Sequence, residues 1–95
     1  PAEVRAAAWL HDVLEDSNLV ADDLTEMGIT RPVVSAVVAL TKMSQEPYEA
    51  YITQITENPI ARKVKVADIL DNLTDSPTNK QILKYAKALQ NLLSP

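Results

Sequence analysis

Apolar positions recur at helical spacing in three stretches of the chain. Val4, Ala7, Ala8 and Leu14 fall within roughly 60° of His11 when each residue advances by about 100°. Val66, Ala67, Ile69, Leu70 and Leu73 form one side of a second stretch, and Ile82, Leu83, Ala86, Leu89, Leu92 and Leu93 give a third. Between these stretches the punctuation is that of helices. Asn58-Pro59 and Ser76-Pro77 each read as an N-cap followed by proline at the first helical position, and Glu46-Pro47 is a weaker version. Gly28, after Leu24-Thr25-Glu26-Met27, reads as a helix stop. The pattern predicts an all-α bundle of about six helices, over about residues 2–16, 20–27, 31–43, 47–57, 59–74 and 77–93. Val33-Val34 and Val37-Val38 carry strand propensity, but a lone strand would have no partner, so this segment is assigned to a helix.

Composition narrows the picture. Ninety-five residues with no internal repeat or linker make one domain over 1–95. The chain is 46% apolar but has no Phe, so its core is built from Ala, Val, Leu and Ile. With no Cys there is no disulfide or thiolate metal site, which fits a cytoplasmic location. A net charge of −4 argues against DNA or RNA as a partner, since phosphate-backbone binding needs Lys and Arg clusters. No apolar run approaches the ~20 residues of a membrane span. The opening Pro1-Ala2-Glu3-Val4 has no initiator Met and runs straight into a helix, which reads as a domain whose N-terminus lies upstream.

Two constellations carry candidate chemistry. His11, the chain's single histidine, begins His11-Asp12-Val13-Leu14-Glu15-Asp16. Nitrogen and carboxylate oxygen together form the ligand set of a hydrolytic divalent-metal site. The bland alternative is a hydrogen-bonded core histidine followed by a solvated helix end. Against that alternative, carboxylates at a helix C-terminus oppose its dipole, and a cation would compensate. On the 59–74 helix, Asp68, Asp71, Asn72 and Asp75 share a polar stripe, readable as a solvated face or as the complement of something positive. A His-Asp pair on one helix and an Asp on another is how a metal site is assembled in a helical fold, and the mixed set suits Mn²⁺, Fe²⁺ or Mg²⁺.

His11-Asp12-x-x-Glu15-Asp16-Ser17 followed by Val64-Lys65-Val66-Ala67-Asp68-x-x-x-Asn72 resembles the HD-domain metal-dependent phosphohydrolases, and within them the RelA/SpoT-type (p)ppGpp hydrolases. The helix leading into Leu40-Thr41-Lys42, the Tyr48-x-x-Tyr51-Ile52 segment and Asn58-x-x-Ala61-Arg62 agree, so the resemblance covers residues 3 to about 75. It implies an HD-domain-like helical bundle hydrolysing a nucleotide pyrophosphate, (p)ppGpp or a relative, with Mn²⁺ as the cofactor. It implies His11, Asp12 and Asp68 as metal ligands, Glu15 and Asp16 as the catalytic pair that activates water and shuttles protons, and Asn72 and Lys65 at the substrate.

The family's first ligand, a histidine on an upstream helix, has no counterpart here. Asp75 and Asp71 also depart from the RelA/SpoT pattern, which points to a different nucleotide. Three readings stay open: a phosphohydrolase, a catalytically degenerate HD domain binding a nucleotide or a protein partner, and a purely structural bundle. A domain without its first helices is expected to leave Val4, Ala7 and Ala8 uncovered and to self-associate as a homo-oligomer.

Overall fold

The computed structural model of the chain describes residues 2–43 and 45–94; Pro1, where the sequence opens without a methionine, lies outside them. Six helices follow one another, and no strand occurs among the described residues: α1 (Ala2–Glu15), α2 (Ala21–Glu26), α3 (Arg31–Leu40), α4 (Tyr48–Thr56), α5 (Pro59–Leu73) and α6 (Asn79–Leu92). The Val33–Val38 segment is helical, as its lack of a strand partner required.

α5 is the axis of the fold. It packs with α1 and α3 on one side and with α4 and α6 on the other; α3 also touches α4, and α2 rests on α3. Serving two groups of helices, α5 buries residues at several angles around its axis, Ala61, Val64 and Ile69 among them. The core joins these to Ala7 and Leu10 of α1, Leu24 of α2, Val33, Ala36, Val37 and Leu40 of α3, Tyr51, Ile52 and Ile55 of α4, and Ala88 and Leu92 of α6. Small and aliphatic residues fill it, as the missing Phe dictates.

Local chemistry sets the helix ends. The Asn58 side chain accepts from the backbone N–H groups of Ile60 (3.1 Å) and Ala61 (3.0 Å), with Pro59 at the first position, so α5 starts where expected. Gly28 ends α2 with φ +87°. Ile29 N–H then donates to Leu24 C=O (3.1 Å) and Gly28 N–H to Thr25 C=O (3.1 Å), a left-handed glycine closure. The start of α6 differs from expectation. Thr78 is its N-cap, with Oγ1 accepting from Gln81 N–H (3.1 Å) and the Gln81 side chain accepting from Thr78 N–H (2.9 Å). Two reciprocal bonds outweigh a Ser-Pro start, and Ser76 instead turns the chain with φ +51°.

α3 stops at Leu40, three residues short of the predicted end. Thr41 leaves the helix with extended angles and returns its hydroxyl to Val37 C=O (2.9 Å), while the Tyr51 hydroxyl donates to Leu40 C=O (2.7 Å). Carbonyls that another turn would have used are thereby satisfied from α4 and from the chain's own threonine.

Two apolar faces differ from the sequence reading. Ala7, expected to be uncovered, is fully buried, because α1 lies against both α3 and α5. α6 turns Tyr85, Ala88, Leu89 and Leu92 inward, leaving Ile82, Leu83 and Ala86 exposed, along with Leu93 at its C-cap. Leu70 of α5 is also about half exposed, at 51%. No helix among the described residues is long and apolar enough to cross a membrane.

Candidate metal and phosphate cleft

α1 and α5 face each other across a cleft of about 430 Å³. From α1 come Val4, Arg5, Ala8, His11 and Asp12; from α5 come Val64, Lys65, Ala67, Asp68 and Asp71; Leu40 of α3 is the remaining wall. The two polar constellations of the sequence therefore meet in one place, although more than fifty positions separate His11 from Asp68. Ala8 and Ala67 leave the space open, since neither methyl reaches across it.

His11 sits at the inner edge, its side chain 17% exposed, and its Nε2 lies 3.2 Å from Oε1 of Glu15 one turn later, itself 63% exposed. His11, Asp12 and Glu15 each offer a ligand atom within 4.8 Å of the other two, so together they could hold a metal ion. The nitrogen–oxygen donor set fits a hard or borderline divalent cation. Asp16 lies one residue past α1; its N–H caps the helix by donating to Asp12 C=O and Val13 C=O (3.3 Å each), and its side chain is exposed outside the cleft lining.

Asp68 stands on the α5 wall, half exposed, and its Oδ2 accepts from Lys65 Nζ at 3.1 Å. It is not part of the close group around His11. Lys65 is the best-held cation of the cleft: its side chain is 14% exposed, paired with Asp68 and set over the Tyr51 ring at 5.3 Å. Tyr51 thus links α4, the last carbonyl of α3 and the cleft lysine. Asn72 is exposed and not part of the lining, whereas its neighbour Asp71 is. The stripe of Asp68, Asp71, Asn72 and Asp75 is broad enough around the helix that only its first two members turn into the cleft.

The tyrosines behind this wall are strongly perturbed. Burial, then the neighbouring Tyr85 and Asp68, pushes the Tyr48 hydroxyl up to about 12. Burial raises Tyr51 further, helped by Tyr48, Asp68, Glu15 and Glu46. Both stay neutral phenols through the physiological range.

Sequence reasoning did not single out Arg5, which lines the cleft two turns before Asp12. The i, i+7 spacing on α1 was the available signal. A second groove of about 330 Å³, lined by Leu14, Leu19, Val20, Val38 and Met43 among others, opens on the far side of Glu15.

Neither models of known protein families nor curated proteins match this chain.

Proposed function

We propose that the α1–α5 cleft is a metal-dependent phosphohydrolase site acting on a nucleotide pyrophosphate or phosphate, in the manner of the HD-type enzymes that the two motifs resemble. The observation that carries this reading is the convergence of His11, Asp12, Asp68 and Lys65, from two helices, on one cleft. His11 and Asp12 would hold the ion from α1, and Asp68 would add a ligand from the facing wall of α5. A divalent ion there supplies Lewis-acid polarisation of a water and neutralises charge on phosphoryl oxygens; Mn²⁺ suits the mixed donors.

The chain's own groups then have distinct work. In the free protein Glu15 pairs with His11 Nε2; with His11 on the ion, the exposed Glu15 carboxylate would be the base that takes a proton from water, and Asp16 would relay it to solvent. Lys65, paired with Asp68 in the free protein, would offer its ammonium to a phosphoryl oxygen if Asp68 served as a ligand. Asn72, one turn after Asp68, is exposed outside the cleft lining and takes no part in this reading. The alternative is a cleft that binds the nucleotide without turning it over, in which the exposed Asp12 and Asp68 would serve only to hold the ion.

Calorimetric titration with Mn²⁺ and a turnover assay against ppGpp, nucleoside triphosphates and monophosphates test the assignment. His11→Ala and Asp68→Ala are expected to remove Mn²⁺ binding, and Glu15→Gln to keep it while losing turnover by about 10²–10⁴-fold. Unchanged Mn²⁺ binding in the first two variants would sink the site. Undiminished turnover in the third would remove Glu15 as the base, and Mn²⁺ binding with no turnover of any nucleotide would favour the binding module.

A further inference from the structure

We infer that Arg5 is a specificity-determining residue of the cleft, holding a second phosphate group of the ligand, remote from the one at His11 and Asp12. This rests on the reading of the cleft as a metal and phosphate site.

Arg5 and Asp12 are seven residues apart on α1, so they stand on one ridge of the helix about 10 Å apart along its axis. Ala8 lies between them and also lines the cleft; its methyl leaves the floor between the two charged groups clear. Arg5 is exposed, and the ion pairs among the described residues, His11–Glu15 and Lys65–Asp68, do not include it. Its guanidinium is available to a ligand, in a fork geometry matched to phosphate.

The charge of the lining points the same way. Asp12, Asp68 and Asp71 outnumber Arg5 and Lys65 by one, so the empty cleft is mildly repulsive to anions. One divalent ion inverts that sign. The two cations then play different parts: Lys65 on α5 is paired with Asp68, whereas Arg5 stands two turns of α1 from Asp12 and is unpaired among the described residues. A ligand with a single phosphate engages the ion and Lys65. Only a ligand with a second phosphate several ångströms off reaches Arg5 as well.

The test uses the whole chain with Mn²⁺ and titrates adenosine 3′,5′-bisphosphate against adenosine 3′- and 5′-monophosphate, each repeated without metal. The wild type is expected to bind the bisphosphate at least about tenfold more tightly than either monophosphate, the factor of one charge-assisted contact. Arg5→Gln, an exposed position where folding is preserved, is expected to erase that preference, the bisphosphate losing at least about tenfold more affinity than either monophosphate, and Arg5→Lys to restore part of it. A preference that survives Arg5→Gln, or no bisphosphate binding with or without Mn²⁺, overturns the inference. An Arg5-dependent preference in a protein that binds no Mn²⁺ upholds Arg5 and overturns the metal reading alone.

Discussion

Tyr51 and Tyr48 lie one turn apart on α4, with ring centroids 6.0 Å apart, yet they carry opposite polar accounts. The Tyr51 hydroxyl closes the end of α3 through Leu40 C=O. The Tyr48 hydroxyl is buried with no hydrogen-bond partner among the described residues, its ring covered by Lys84 at 4.2 Å. Tyr51→Phe is therefore expected to cost about 1 kcal/mol in urea unfolding, and Tyr48→Phe to be neutral or stabilising, because a buried unpaired hydroxyl costs about as much as a bond gains. Their titration has a definite sign. Unfolded tyrosine ionises near the ordinary 10.0, whereas folded Tyr48 holds its proton to about 12. Above pH 10 the unfolded chain has fewer protons, so stability, fully present below that pH, falls as pH rises through 12. Unfolding curves at pH 8 to 12 should show this loss in the wild type and a shallower one in Tyr48→Phe. At this scale the sequence was informative about candidates: His11, Asp12 and Asp68 stand out by residue type and spacing, and Lys65 through the resemblance of its motif. The partners of Tyr51 and the place of Arg5 do not, because each depends on a residue from another helix or on which side of α1 meets α5.

Among the helices, α5 has the most exacting design. It carries one wall of the cleft, supplies core residues to both halves of the molecule and begins at a cap made by a single side chain. Asn58→Ala removes both cap bonds and is expected to cost about 1 kcal/mol. Amide hydrogen exchange should show the loss concentrated at Ile60 and Ala61, and equal protection there in the variant would mean that Pro59 alone sets the start. The α5 start and the Gly28 stop were legible because proline, asparagine and glycine act through their own backbone geometry. The ends of α3 and α6 were less so: one is set by a hydroxyl from α4, the other by a capping box that competes with a plausible Ser-Pro start two residues earlier.

In the whole molecule, α5 is held between α1 and α3 on one side and α4 and α6 on the other, so its fully buried Ile69 is a point where both halves feel a cavity. Ile69→Ala is expected to cost about 2–5 kcal/mol by thermal or urea unfolding and, on the proposed role of Asp68 beside it, to weaken Mn²⁺ binding in parallel. A destabilised variant with unaltered metal affinity would show the cleft to be independent of the core beneath it. The sequence by itself determined the helices, the aliphatic core and the residue types of the candidate site, because periodicity, capping and donor chemistry are local properties. Only the tertiary structure decided that the two constellations share one cleft, that Asn72 stays outside and that Arg5 comes in. Each of these depends on how far α1 and α5 are rotated about their own axes when their apolar stripes meet, two angles that packing sets and no local pattern contains.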